Sequence, residues 1–193
     1  MQHPDVRTIT DSRVLAAMTH PLRRRLLSML KVDGPSTASV LAERTGQGVG
    51  NISHHLRVLA TAGLIEEVPE LARDRREHWW RRVGPALQWS STDFAGDPAG
   101  EAVAIAAESL NLDLEMDVIR RWVVMQAEEQ EQDRWPHGPF GASTWMRVTD
   151  DELVEVGREM LAIMRRWADR ELPDDGQDRA TVLVVAHGVP GEL

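Results

Sequence analysis

The sequence predicts a mainly α protein with one small β-hairpin, followed by a helical extension that ends in a short strand. Three observations predict it. Apolar residues recur at helical spacing through most of residues 10–62 and again through 99–171. Between Leu64 and Val83 the period becomes strand-like, and branched and aromatic residues gather there. Lys and Arg outnumber carboxylates 13 to 9 in residues 1–85, whereas residues 86–193 hold 9 against 22. The overall charge of −9 therefore hides a basic part suited to phosphates and an acidic part held away from them.

At 193 residues the chain has room for one large domain or two small ones. A hydrophobic fraction of 42% and a charged fraction of 27% are those of a soluble globular protein. No apolar run approaches the roughly 18 residues of a membrane span, and Met1 to Arg13 lacks a signal-peptide core. The expectation is a cytoplasmic protein with no membrane partner. Cysteine is absent, which excludes disulfides, thiolate metal sites and cysteine nucleophiles.

The elements follow in order. Asp11 or Ser12 caps a first helix running through Met18. Pro21 suits the first turn of a second, with Leu22, Leu26, Leu27, Met29 and Leu30 inward and Arg23 to Arg25 outward. Ser36 or Thr37 caps a third, with Val40 and Leu41 inward, and Gly46 ends it. A fourth runs from about Gly48 to Ala62 with Ile52, Leu56 and Leu59 buried. Strands are expected at Leu64 to Val68 and Arg76 to Val83, joined by a flexible polar loop, Pro69 to Arg75. One of Trp79 and Trp80 packs under this hairpin and the other faces a neighbouring element. Helix, short turn, helix and a charged hairpin make a winged helix-turn-helix pattern over residues 10–85.

In the fourth helix, burying Ile52, Leu56 and Leu59 turns Gly50, His54 and Arg57 to the opposite face at 100° per residue. Asn51 and Ser53 flank that face, and Gln47 lies just ahead of it. Asn reads adenine edges in the major groove, while Ser, His and Arg contact bases or phosphates. Arg73, Arg75 and Arg76 at the hairpin tip are placed for phosphates or an adjacent minor groove. The expected DNA-binding set is thus Gln47, Asn51, Ser53, His54, Arg57, Arg73, Arg75 and Arg76. A solvated arginine surface is the bland reading of the tip. His54 and His55 point in different directions, which argues against a shared metal and for core-edge packing of His55.

His20-Pro21-Leu22-Arg23, Arg25-Leu26-Leu27, Ser53-His54-His55-Leu56, Ala62-Gly63-Leu64-Ile65 and the arginine-rich hairpin together resemble the ArsR-type bacterial transcription regulators. The resemblance covers about residues 10–85. It implies a winged helix that dimerises and represses by occupying a double-stranded operator with two half-sites. Metal-sensing members place cysteines before the recognition helix, where this chain has Val40-Leu41-Ala42-Glu43-Arg44. An Asp-x-His pair is also missing, so the resemblance is to the branch that senses no metal.

Residues 86–98, with Pro98, Gly96 and several Ser and Thr, read as a linker. Residues 99–193 read as an α-rich dimerisation or effector domain. A long helix is expected from about Ala99 to Gln132, its stripe formed by Ile105, Leu112, Met116, Ile119 and Val123. Thr149-Asp150-Asp151-Glu152 is a capping box opening a helix to about Glu171. Its apolar face is Leu153, Val156, Met160, Ile163 or Met164, and Trp167. Thr181 to Ala186 reads as a strand. Met146 to Glu152 and Val182 to His187 are similar to the C-terminal extension of some ArsR-type regulators. Trp122, Trp135, Phe140, Trp145 and Trp167 suit a pocket for a small apolar effector, though core packing or a dimer interface uses the same residues.

No catalytic set emerges. Glu128 to Glu131 is a solvated run, Ser53 and His54 lack a third member, and there is no P-loop or dinucleotide fingerprint. No cofactor or metal is expected. The reading is a dimeric DNA-binding regulator, with a winged helix that docks a protein instead of DNA as the alternative.

Overall fold

The computed structural model describes residues 6–74, 76–84, 86–126 and 134–192. They fall into two compact units, Met1–Leu114 and Glu115–Leu193. The expectations for Arg75 and for Glu128 to Gln132 lie outside the described residues.

The first unit begins with β1 (Val6–Thr8), α1 (Ser12–Met18) and α2 (Pro21–Val32). Asp11 caps α1, its carboxylate accepting the Arg13 N–H at 2.9 Å. His20 caps α2 through Nδ1, which accepts the Leu22 N–H at 3.1 Å, and Pro21 takes the first turn, where no N–H is needed. β2 (Ser36–Thr37) leads into α3 (Ala38–Thr45), capped by Thr37. Gly46 then takes the left-handed conformation that ends α3 (φ 68°), a backbone state costly for any residue with a Cβ. α4 (Val49–Thr61) follows.

α1 to α4 meet through Leu15, Leu26, Leu41, Ile52, Leu56 and Leu59, all fully buried. Each such side chain contributes about 1.5–3 kcal/mol relative to exposure. β3 (Ile65–Glu67) and β4 (Trp79–Arg82) form the hairpin, and β2 adds to its other side, giving an antiparallel sheet of order β2-β4-β3. Glu66 and Arg81 face one another across it and pair at 2.7 Å. Trp80 packs against the core.

Several expectations are corrected here. Val40 is 42% exposed, because the two-residue strand β2 rotates the start of α3 so that Leu41 and Ala42 carry its buried face. Arg23 and Arg24 do not project outward. Arg23 Nε donates to the Ala17 carbonyl, Arg24 donates to Asn111 Oδ1, and both are part-buried. The loop at Pro69 holds a 3-10 turn, Pro69–Leu71.

The stretch read as a linker is structured. β5 (Ala86–Gln88) pairs in parallel with β1, Arg7 opposite Leu87. Ser90 caps a 3-10 turn (Ser91–Phe94), and Phe94 is buried. α5 (Pro98–Met125) follows at once. A Cβ on Gly100 would lie 2.6 Å from Asp97 Oδ2 and 3.0 Å from the Phe94 ring, so glycine permits this tight entry. The residues α5 buries are Gly100, Ala104 and Ala107. The predicted stripe is turned the other way, with Ile105, Leu112, Ile119 and Val123 all exposed. Small side chains let the helix approach the core closely, which periodicity in the large residues does not register.

The second unit contains the end of α5 and α6 (Asp150–Ala168). Thr149 and Glu152 form the expected capping box, with Thr149 N–H on Glu152 Oε2 at 2.7 Å and Glu152 N–H on Thr149 Oγ1 at 3.3 Å. Leu153, Val156 and Met164 are partly covered, whereas Met160, Ile163 and Trp167 are exposed. Thr181 to Ala186 forms no strand, since no neighbouring segment among the described residues supplies a ladder. No described residue of this unit is buried. Among the described residues no helix is long and apolar enough to cross a membrane.

Candidate nucleic-acid interface

α4 presents Asn51, His54 and Arg57 to solvent, with Gln47 exposed just ahead of it and Ser53 half-covered beside them. The opposite side, Ile52, His55, Leu56 and Leu59, is buried. This is the division that the helical period predicts. Asn51 Nδ2 donates to Gln47 Oε1 at 3.1 Å, one turn apart, which orients the amide. The Asn51 carbonyl oxygen and second amide hydrogen stay available, and these are the two groups that pair with an adenine edge.

Between α4 and the hairpin lies a concavity of about 660 Å³. Val49, Ser53 and Arg57 form one side, and Asp74, Arg76 and His78 the other. Arg57, Arg73 and Arg76 are exposed and have no ion pair among the described residues.

Sequence reasoning counted the tip arginines and passed over its carboxylates. Asp74 Oδ1 accepts the Arg76 N–H at 2.7 Å, and Glu77 Oε2 accepts the Arg73 N–H at 2.8 Å. Glu67 Oε1 lies 2.5 Å from His78 Nδ1. The acidic groups thus tie down backbone or histidine N–H, while the guanidinium groups remain outward. The alternation Arg73-Asp74-Arg75-Arg76-Glu77 was the available signal. It reads as a self-capped turn rather than as a purely basic tip.

His55 is 7% exposed, as core-edge packing requires. Its ring lies 5.4 Å from that of His54, edge-on. Burial pushes the His55 imidazole down from its ordinary value, and His20, Arg23 and His54 reinforce that direction. Among the described residues no cluster of His, Asp or Glu is arranged to hold a metal.

Among the described residues, the aromatic set of the second unit is largely open to solvent. Phe140, Trp145 and Trp167 are 83%, 64% and 60% exposed, and Trp122 and Trp135 are half-buried. The Arg170 guanidinium covers one face of Trp167 at 4.2 Å.

Residues 18–68 match a family model described as a helix-turn-helix domain, which spans α2, α3, α4 and β3. None of the curated proteins matches the chain. A crystal structure of a MarR family transcription regulator is similar at 20% identity and a TM-score of 0.32, over 83% of this chain and 79% of that one. The first unit is a helix-turn-helix with a β-hairpin beside its second helix.

Proposed function

We propose that this chain is a sequence-specific regulator of transcription that binds double-stranded DNA as a homodimer. The observation that carries the reading is the helix α4 within the matched domain, buried on one side and presenting Asn51, His54 and Arg57 on the other. Asn51 reads base edges, steadied by Gln47, with Ser53 and His54 at the flank. Arg57, Arg73 and Arg76, with Arg75 between them in sequence, neutralise phosphates and fix the register. Two such helices about 34–36 Å apart enter successive major grooves of a two-fold operator.

Residues 115–192 supply the dimer contact in this reading. Apolar side chains there, including Val123, Trp145, Ile163 and Trp167, are exposed, and a unit with no buried residue among those described gains most from a partner surface. The five aromatics then serve an interface between subunits before any effector. The ArsR-type resemblance of residues 10–85 supports repression by promoter occupancy, in the branch that senses no metal.

The test is binding to a labelled duplex from immediately upstream of the protein's own coding region, across a salt series, with a shuffled duplex as control. Selective binding that weakens steeply with salt is expected, because released counterions report phosphate contacts. A second reading, a winged helix that docks a protein, is favoured by Glu67, Asp74 and Glu77 in the same concavity. Absence of DNA binding at low salt selects it.

A further inference from the structure

Val49 is an apolar side chain of α4 that stands 49% exposed. With Ser53 and Arg57, one and two turns further on, it forms a single row of the helix along the concavity beside the hairpin. We propose that Val49 reads the C5-methyl group of a thymine in the major groove, an inference that rests on the DNA-binding reading of α4 and adds a base to it.

The residues on either side of Val49 carry the argument. Gly48 has φ −69° and ψ 141°, an extended conformation that any residue adopts. Gly50 lies within α4, where glycine is a poor helix former. A Cβ at either position would meet no atom of the described residues within 4 Å. Neither backbone conformation nor packing among the described residues therefore calls for glycine here. Val49 is itself β-branched, and Gly48 supplies no side-chain cap, so all three residues work against the start of the helix. A local rule broken three times in succession marks a surface kept for another purpose. The missing Cβ atoms let a foreign surface come down onto the backbone and onto the valine between them.

The neighbouring side chains select the chemistry of that surface. Asn51, Ser53 and Arg57 are residue types that contact base edges and phosphates. Among the groups that base pairs present in the major groove, the thymine methyl is the apolar one. A valine in a helix keeps essentially one χ1 rotamer, so its methyl groups are fixed before contact and lose little freedom on binding. Asn51 selects adenine and Val49 thymine, which places A·T pairs at the positions these two side chains cover.

The experiment starts by selecting duplexes from a random-sequence pool with the full chain, which yields a probe of its own preferred sequence. The selected duplex is then resynthesised with deoxyuridine in place of thymidine, one position at a time, a change that removes the methyl and keeps the pairing. One such replacement should weaken the wild-type chain about fourfold per half-site, the worth of one buried methyl. Val49→Ala should bind the thymine duplex about as weakly as the wild type binds the uracil duplex, and it should be indifferent to the replacement. Because Val49 is exposed, the variant should keep the wild-type Tm or exceed it. Indifference of the wild type to uracil at every position overturns the proposal and leaves the regulator reading standing. Full uracil sensitivity retained in Val49→Ala does the same. A pool from which no sequence is enriched overturns the regulator reading, and the proposal with it.

Discussion

The ring of His20 packs against the ring of His55 with centroids 4.5 Å apart and planes inclined at 49°. One histidine caps α2 and the other is buried in α4, so a single contact joins the start of one helix to the middle of another. The His20 ring is oriented by the hydrogen bond that its Nδ1 accepts from the Leu22 N–H. The His55 ring is held toward its neutral form by burial and by the neighbouring His20, Arg23 and His54.

Stability should therefore fall in mild acid. A histidine with a lowered folded-state value binds fewer protons folded than unfolded. Its contribution is fully present above the unfolded value of 6.5 and declines as pH drops through and below it. Thermal unfolding followed from about pH 8 to about pH 5 should show a falling Tm. His55→Phe should flatten that dependence, and an unchanged profile in the variant would rule His55 out as its source.

Leu56 sits on α4 with no exposed surface, among the side chains that join the helices. Leu56→Ala should cost about 2–5 kcal/mol, since the rigid neighbours collapse only partly into the space left. Urea denaturation measures it, and a loss under about 1 kcal/mol would mean that α4 repacks freely.

Gly50 lies on the exposed face of α4, and no atom comes within 4 Å of the place its Cβ would take. Gly50→Ala should stabilise the fold by about 1 kcal/mol through lower backbone entropy of the unfolded chain. On the proposed interface the same methyl meets the groove, so operator affinity should fall while stability rises. Parallel gains in both would place Gly50 off the DNA.

Asn51 and Arg57 should fail differently. Asn51→Ala should relax sequence preference at one position by about 1–3 kcal/mol. Arg57→Ala should weaken all duplexes alike and reduce the salt slope by about 1, as should Arg73→Ala or Arg76→Ala. Competition binding over a panel of duplexes and salt concentrations separates the two patterns. If Asn51→Ala behaves like Arg57→Ala, α4 does not read bases through Asn51.

Trp167 is 60% exposed on α6. Trp167→Ala should shift the monomer–dimer balance toward monomer by at least tenfold, as loss of a large aromatic at an interface centre does. Sedimentation velocity over a dilution series shows it. A wild-type dimer in this variant moves the interface elsewhere.

Residue order alone placed the local features to within a residue, leaving Asp11 or Ser12 and Ser36 or Thr37 for the structure to choose between. Asp11, Thr37, Gly46 and Thr149 set helix ends through hydrogen bonds and backbone conformations within a few residues of each other. The face of α4 followed from spacing, because buried residues three and four apart leave only one side for Asn51, His54 and Arg57. Which distant segments meet was settled by packing instead. β1 finds β5, with Arg7 opposite Leu87, and β2 finds β4, although β1, β2 and β5 are each too short to carry a periodic signal. α5 lies on the core through Ala104, with Ala107 also buried, because small residues allow close approach, against the pull of its own larger stripe. Arg24 and Arg82 converge from α2 and β4 on one cavity. Their charges are legible in sequence, but their proximity depends on how the helix packs across the sheet.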